Sequence, residues 1–341
     1  MKFRRSLYLL TIAILVFCCS LADAQTDIKS RIVVQVPRDG KLARTRIDSV
    51  FIASQSVLWG TAGGVFVENA DGFGTWWTSK NAPFKQEEFV AVAARNGEIW
   101  IGVRNPAAGQ GIFLLDGSTW TRFHPSLNEM LSDLVNCILV DGKERVWIGY
   151  EERGIDRYIG EGYGKTTLRL FGGIKVKAGL LPGSVNALTD AGGMIWAGTN
   201  SGLCRFNPES EHKAKFESWT FGKNFPDQAV WALIPYGDGR VAAGTDQGFV
   251  LPDGAGWKLI GMKDGLSSMP IKALCSEKGR VWVGHTNGLQ VYEDGKLSAL
   301  LYTPDLLPAQ SVRCLAARVL PDGSSRIYVG TEAGARVFSI P

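Results

Sequence analysis

The chain has 341 residues, of which 45% are hydrophobic and 21% are charged, and its formal net charge is +4. These values are ordinary for a globular protein and exclude a disordered or fibrous chain. A charge so close to zero provides no strong field for nucleic acid or for an anionic membrane, so we expect neither as a partner.

The first 24 residues are typical of a secretory signal peptide. Three basic residues within the first five positions precede an apolar run from Leu7 to Leu21, and the small-x-small sequence of residues 22–24 offers a cleavage site after Ala24. We expect residues 1–24 to be removed and residues 25–341 to form one domain, either periplasmic or secreted. A lipid anchor on Cys19 is the alternative. No later apolar run reaches the roughly 18 residues that a spanning helix needs, so we expect no membrane span.

One short motif, usually a tryptophan followed closely by a glycine, recurs along the rest of the chain. The seven copies are Trp59-Gly60-Thr61, Trp100-Ile101-Gly102, Trp147-Ile148-Gly149, Trp196-Ala197-Gly198, Ala242-Ala243-Gly244, Trp282-Val283-Gly284 and Tyr328-Val329-Gly330. Their glycines follow one another in steps of 40 to 49 residues. Short apolar runs and glycine-marked turns surround each copy, a pattern typical of antiparallel strands. This period predicts the four-stranded blades of a β-propeller.

The fourth copy shows how each period divides into strands. Strand a is predicted over Val185–Leu188, strand b over Ile195–Thr199, strand c over Gly202–Phe206 and strand d over Glu217–Phe221. Because a blade narrows toward the axis, we interpret the glycine after the tryptophan as a contact between neighbouring blades that admits no side chain. The tryptophan would then fill the wider gap between those blades.

The two ends of the chain are predicted to share one blade. The last copy supplies strands a, b and c over Val312–Ala316, Ile327–Thr331 and Ala335–Ile340, and its strand d is missing. An apolar run stands upstream of the first blade, so we predict that residues 31–36 form the outer strand of the last blade. The predicted fold class is therefore all-β: a seven-bladed β-propeller of four-stranded antiparallel blades, closed by the N-terminal strand.

Several positions of the fourth period recur together elsewhere in register. They are Gly179-Leu180-Leu181-Pro182, Val185-Asn186-Ala187-Leu188, Ile195-Trp196-Ala197-Gly198-Thr199 and Gly202-Leu203-Cys204-Arg205-Phe206. This combination resembles the two-component regulator propeller repeat, and partial copies lead to Trp147 and Trp282. In that family the repeats commonly form periplasmic sensor regions of hybrid histidine kinases, often sensing glycans. The resemblance implies a stand-alone extracytoplasmic propeller that is sensor-like but lacks a kinase.

Ligands of propellers usually bind where loops gather around the axis, and the start of each strand a points there. The aligned positions are Asp48, Val90, Asn136, Asn186, Trp231, Lys272 and Arg313. We predict ligand binding by the polar and aromatic members of this set: Asp48, Asn136, Asn186, Trp231, Lys272 and Arg313. Two cations beside an aromatic ring suit a carboxylate-bearing or sugar-like ligand. The alternative is that these side chains only line a wet channel.

Four cysteines follow the signal peptide, and their spacing matches neither a redox pair nor a zinc site. Cys137 and Cys314 occupy the strand-a position that holds alanine in other blades, which indicates a small buried residue. A disulfide between Cys275 and Cys314 in adjacent blades is the alternative, since an exported protein meets an oxidising compartment.

Catalytic motifs are absent from the sequence. The three histidines, His124, His212 and His285, lie in different periods, and no metal-binding His pair, nucleophile elbow or phosphate loop is present. We therefore predict no catalytic residue, no metal site and no cofactor. His285 stands where other copies carry Thr61 or Thr199, which indicates a hydrogen bond at the strand end.

The sequence leaves three functions open. The leading hypothesis is an exported noncatalytic propeller that recognises a glycan, a small anionic ligand or a protein partner in the envelope. The alternative is a propeller lyase or hydrolase acting on an antibiotic or polysaccharide, for which His285 near the channel mouth would be the only base. A structural subunit of an envelope complex is the third.

Overall fold

The computed structural model describes residues 32–85, 88–104, 110–127, 130–160, 166–170, 180–213, 215–302 and 306–341. The predicted signal peptide of residues 1–24 and Gly179 of the repeat lie outside the described residues. Within those ranges, no helix is both long enough and apolar enough to cross a membrane. The helical segments described are the 3₁₀ turns Leu42–Arg44, Pro208–Lys213 and Met262–Asp264.

The described strands form seven antiparallel sheets of four strands each, which confirms the predicted seven-bladed propeller. Blade 1 consists of β2 (Ile47–Ile52), β3 (Ser56–Thr61), β4 (Gly64–Asn69) and β5 (Gly74–Trp77). Blade 2 consists of β6 (Glu88–Arg95), β7 (Glu98–Arg104), β8 (Gly111–Asp116) and β9 (Thr119–Phe123). Blade 3 consists of β10 (Val135–Val140), β11 (Val146–Tyr150), β12 (Ile155–Gly160) and β13 (Thr166–Leu170). Blades 4 and 5 are β14 (Val185–Ala191), β15 (Met194–Thr199), β16 (Gly202–Phe206) and β17 (Phe216–Trp219); and β18 (Val230–Tyr236), β19 (Arg240–Thr245), β20 (Phe249–Asp253) and β21 (Gly256–Ile260). Blade 6 is β22 (Ala273–Glu277), β23 (Arg280–His285), β24 (Gly288–Glu293) and β25 (Lys296–Leu297), and blade 7 is β26 (Val312–Val319), β27 (Ser325–Thr331), β28 (Gly334–Ile340) and β1 (Val33–Gln35).

Neighbouring blades approach most closely at the strand-b glycines. A Cβ placed on Gly198 would lie 2.4 Å from Cγ1 of Val230, which begins strand a of the next blade. The same contact joins Gly102 to Val135, Gly149 to Val185, Gly244 to Ile271, Gly284 to Val312 and Gly330 to Ile47. Each of these glycines therefore leaves room for one β-branched side chain of the following blade, as the sequence predicted.

The aromatic residue before the glycine fills the wider part of each gap. Trp59, Trp100, Trp147, Trp196 and Trp282 are all fully buried. Trp147, for example, packs with Val185 and Ile195 of blade 4. Blade 5 carries Ala242 in this position, and there Phe249 and Tyr292 fill the gap with ring centroids 5.4 Å apart.

The N-terminal strand closes the ring as predicted. β1 pairs with β28 in antiparallel register, with Val33 opposite Ser339 and Gln35 opposite Val337. Val34 packs against the hydrophobic cluster between blades 6 and 7, whereas Val33 on the other face is exposed. The first described strand of the chain is therefore the fourth strand of its last blade.

Cys137 and Cys314 occupy the predicted small-residue positions, and no disulfide joins the described cysteines. Cys137 and Cys314 lie opposite Gly149 and Gly330, as Ala187 lies opposite Gly198. All four described cysteines are free. The alternative of a Cys275–Cys314 disulfide is wrong in this structure, because Cys275 packs between blades 6 and 7 whereas Cys314 packs between blades 7 and 1.

We expect Gly198→Ala to destabilise the protein by about 1–3 kcal/mol, because the added methyl group overlaps Val230. Gly40→Ala is the control, since a Cβ on Gly40 meets no atom within 4 Å. Urea unfolding of both variants measures the difference. Equal midpoints for the two variants would contradict the close approach between blades.

We expect Val34→Ser to lower the unfolding free energy by about 1–2 kcal/mol, because it removes apolar surface from the closure between the two chain ends. Val33→Ser carries the same chemical change on the exposed face of β1 and should leave stability nearly unchanged. Thermal unfolding followed by circular dichroism compares them. An equal loss of unfolding free energy in both variants would contradict a stabilising contribution of the buried face of β1.

Candidate functional site

A β-bulge at the start of strand a presents one residue of most blades to the axis. In six blades the pairing between strands a and b skips one residue. A bulge leaves that residue outside the ladder and re-aims its side chain. The residues skipped are Asp48, Val90, Asn136, Asn186, Trp231 and Arg313. In blade 6, Lys272 directly precedes β22.

The structure brings all six predicted ligand-binding residues to one axial cavity of about 390 Å³. The cavity is lined by Asp48, Asn136, Asn186, Trp231, Lys272 and Arg313, together with Arg104, Glu151, Ser184 and Asn200. Their location agrees with the alignment of the repeats. Ligand binding by these residues stays a prediction.

Sequence reasoning missed four lining residues. Arg104, Glu151 and Asn200 each stand two positions after the strand-b glycine, at the end of strand b. Counting forward from the glycine as well as along strand a would have found them. Ser184 directly precedes Val185, which packs against the glycine of the preceding blade.

Ion pairs engage most of the charged lining residues. Arg313 donates to Oδ1 of Asp48 at 3.0 Å and to Oε1 of Glu332 at 2.6 Å, and Arg46 also donates to Asp48 at 3.0 Å. Arg104 pairs with Glu151 across blades 2 and 3. The guanidinium of Arg313 already binds two carboxylates. Of the two cations that were predicted to hold an anion together, Lys272 therefore remains as the one available to it.

The side chains of Lys272 and Trp231 form a cation–π contact, with Nζ 4.7 Å from the ring centroid. The indole N–H of Trp231 donates to Oδ1 of Asp246 at 2.7 Å, which fixes the ring. Lys272 makes no salt bridge with any described residue. Its ammonium group therefore lies in the cavity wall with all three N–H donors available to a ligand.

Amide side chains of blades 3 and 4 form another part of the wall. Asn186 donates through Nδ2 to Oδ1 of Asn200 at 2.8 Å and to the carbonyl oxygen of Val230 at 3.0 Å. Asn136 makes no side-chain hydrogen bond to the part of the chain that the structure describes. Its amide therefore offers both a donor and an acceptor to the cavity.

His285 does not lie at the channel mouth, which corrects the expectation for a catalytic base. It is 1% exposed, its Nε2 lies 3.2 Å from Oε1 of Gln290, and the N–H of Asn287 donates to its Nδ1 at 3.2 Å. Burial lowers the pKa of His285 to about 4. Ser201 N–H donates to Thr199 in the same way, which confirms the strand-end interpretation of His285.

Metal ligation finds no geometric support in the described residues, where no group of three or more His, Cys, Asp or Glu side chains could hold an ion.

The structure reveals a buried carboxyl group, that of Asp156 in β12, that the sequence did not indicate. Asp156 accepts hydrogen bonds from the N–H of Leu131 at 3.0 Å and from the hydroxyl of Tyr150 at 2.8 Å, both at Oδ2. Its Oδ1 is buried without a hydrogen-bond partner among the described residues. Burial raises the pKa of Asp156 to about 7.

Neither the comparison with protein-family models nor that with curated proteins gives a match. Membership of the two-component regulator propeller family is therefore not confirmed by the sequence comparisons.

Solved structures match the fold at low identity. The extracellular domain of a putative hybrid two-component system from B. thetaiotaomicron is 18% identical with a TM-score of 0.54, covering 86% of this chain and 45% of that domain. A streptogramin B lyase is 12% identical with a TM-score of 0.65, covering 91% and 98%. YCF48 bound to D1 peptide is 14% identical with a TM-score of 0.59, covering 91% and 96%. This chain thus spans less than half of the sensor domain, and the three similarities show a shared propeller fold.

We expect the stability of the protein to fall as pH rises from about 4 to about 7 through the ionisation of Asp156. The pKa of Asp156 is raised in the folded state, so the unfolded chain loses this proton at a lower pH than the folded protein does. Above pH 7 the folded state is therefore less stable, relative to its stability at low pH, by roughly 4 kcal/mol. Urea unfolding at several pH values should show that Asp156→Asn removes this part of the pH dependence. Asp238→Asn in an exposed turn is the control, and identical pH profiles for all three proteins would contradict the assignment.

Proposed function

We propose that this protein is an exported, noncatalytic propeller that recognises a polyhydroxylated ligand, such as a glycan, in the axial cavity. The observation that carries the proposal is the convergence of asparagine amides, a serine hydroxyl, an indole and an ammonium group on one cavity of about 390 Å³. A pocket of this size and lining suits a small polar molecule.

Hydroxyl-rich ligands fit the chemistry of this wall better than strongly charged ones. An asparagine amide both donates and accepts, as a sugar hydroxyl does, so the two can satisfy each other. Asn136 has no competing partner among the described side chains, and Asn186 is oriented by its bonds to Asn200 and Val230. The paired ions, Asp48 with Arg313 and Glu151 with Arg104, offer fixed acceptors and donors with little net charge.

Lys272 adds a preference for an acidic group on the ligand. Its ammonium is the lining cation that no described carboxylate neutralises, and a charge-assisted hydrogen bond is stronger than a neutral one. We therefore propose that a carboxylate-bearing sugar binds more tightly than its neutral counterpart.

The assignment to an exported sensor-like propeller rests on two further observations. The repeats resemble those of two-component regulators, and the putative hybrid two-component system supplies an extracellular domain of the same fold. The amino-terminal residues have the features of a signal peptide with cleavage after Ala24. Together they favour ligand recognition outside the cytoplasm.

Catalysis has less support than recognition. A lyase or hydrolase would need a base at the cavity, and the described lining contains no histidine. His285 is buried and hydrogen-bonded to Gln290 instead. The lining carboxylates, Asp48 and Glu151, are both engaged in ion pairs with arginines.

The proposal is tested by calorimetry and thermal shift of the mature protein against neutral and uronate-containing oligosaccharides. A ligand at a hundred times its Kd should stabilise the protein by about 2.7 kcal/mol. Asn136→Ala should weaken both classes about five- to tenfold, because one or two hydrogen bonds are lost. Lys272→Met should weaken mainly the acidic class, by about tenfold or more.

Lys258→Met is the matched control, since Lys258 is exposed on the outer strand of blade 5. It should bind both classes as the unaltered protein does. A panel without any stabilising glycan, or an Asn136→Ala variant with undiminished affinity, would reject the cavity as the recognition site.

A further inference from the structure

The a–b hairpin of each blade carries a cross-strand pair at the end remote from the cavity. Its strand-a member follows the residue opposite the strand-b glycine by four positions. Its strand-b member precedes that glycine by four positions. In three blades the pair is an ion pair: Arg95–Glu98 at 2.6 Å, Asp141–Arg145 at 2.6 Å and Glu277–Arg280 at 3.2 Å. In these three blades the arginine is matched by a carboxylate on the opposite strand, whereas Arg240 of blade 5 lies opposite Tyr236 and donates to two carbonyl oxygens.

Blade 7 breaks this pattern with two arginines. Arg318 and Arg326 lie directly opposite each other on β26 and β27. Like charges in such a pair are destabilising. The guanidinium of Arg318 donates to the carbonyl oxygen of Ala53 in blade 1, whereas Arg326 makes neither a hydrogen bond nor a salt bridge with any described residue.

Both arginines line a second cavity, of about 740 Å³, between blades 7 and 1. We call it the seam groove and define it by Arg38, Arg318 and Arg326 with Glu68 and Asp71 on the facing side. Arg38, the third cation, lies over the ring of Phe73 at 5.3 Å. The seam groove is thus separate from the axial cavity, since Arg318 is at the other end of β26 from Arg313.

The two carboxylates of the seam groove make no close ion pair with its arginines, although Arg326 attracts the carboxylate of Glu68 electrostatically. Glu68 accepts the indole N–H of Trp59 at 2.8 Å, and Asp71 accepts the N–H of Phe73 at 3.0 Å. Within the described part of the chain, neither forms a salt bridge with the three arginines. Burial raises the pKa of Glu68, which further reduces its negative charge when the pH is low.

Exposed apolar side chains accompany the cations. Val36 lines the groove, and Phe73 contacts Arg38. Both are more than half exposed. A small inorganic anion would satisfy the arginines but would leave these apolar groups in water, whereas a peptide with acidic and apolar side chains would cover both.

We infer that the seam groove binds an acidic, extended segment of a partner protein. A carboxylate of that segment takes the place between Arg318 and Arg326 that Glu98, Asp141 and Glu277 take beside their arginines in other blades. Flanking apolar side chains of the segment pack on Val36 and Phe73. Arginine suits this role because its planar fork binds a carboxylate through two parallel hydrogen bonds.

Fluorescence anisotropy with a fluorescein-labelled peptide of alternating glutamate and leucine tests the inference. The unaltered protein should bind this peptide at least tenfold more tightly than the same peptide with glutamine in place of glutamate. Arg326→Gln should weaken binding, and Arg326→Glu should weaken it by tenfold or more. Arg153→Ser, which removes an exposed cation from a loop of blade 3, should bind as the unaltered protein does.

Arg326→Glu also provides a readout that does not depend on the peptide. It converts the like-charged pair into the arginine–glutamate pair of blade 2 but also removes the attraction of Arg326 to Glu68 and Asp322, so Tm should stay within about 3 °C of that of the unaltered protein. An unchanged Tm together with lost peptide binding supports the inference and shows that the variant is folded.

Three results would overturn the inference. One is equal affinity for the glutamate and glutamine peptides, and another is peptide binding that Arg326→Glu leaves unchanged. The third is stabilisation by inorganic phosphate at matched ionic strength, lost in Arg326→Glu, without any peptide binding. That result would assign the groove to a small oxyanion instead.

Discussion

The contact between a strand-b glycine and a β-branched residue of the next blade sets the spacing of the whole ring. At Gly198 the backbone of one blade touches the side chain of Val230 in the next, with no space for another carbon atom. Close packing of this kind restricts how each blade can be placed against the next. Because the contact recurs between successive blades, the direction in which every strand a enters the axis is determined as well.

Because every strand a enters in the same direction, residues with similar roles occupy equivalent positions along the strands of different blades. The residue directly after each contact lies in the axial cavity, as Asn136 follows Val135 and Lys272 follows Ile271. Residues just beyond it fill the gaps between blades, where Trp147 is fully buried. The turn ends of the hairpins carry charged pairs such as Asp141–Arg145. The axial cavity and the seam groove are therefore separated by buried hydrophobic residues.

Sequence reasoning succeeded where the physical requirement repeats. A glycine with a neighbouring aromatic residue is needed at each approach of two blades, so counting the copies predicted seven blades and their closure by residues 31–36. The same alignment located six of the ten residues that line the axial cavity, such as Asn186. The alignment could not predict interactions that occur in a single blade. The engagement of Arg313 by Glu332 and the unpaired Oδ1 of Asp156 each depend on a single side-chain arrangement.

The bulge at the start of strand a has a consequence for how such a protein can diversify. Its residue is skipped by the ladder, so an aspartate, an asparagine, a tryptophan and an arginine stand there in different blades with the same backbone pairing around them. Six of the seven blades thus contribute one such position to the axial cavity. The side chains that line the cavity can therefore be exchanged while the glycine contacts that hold the ring together are left untouched.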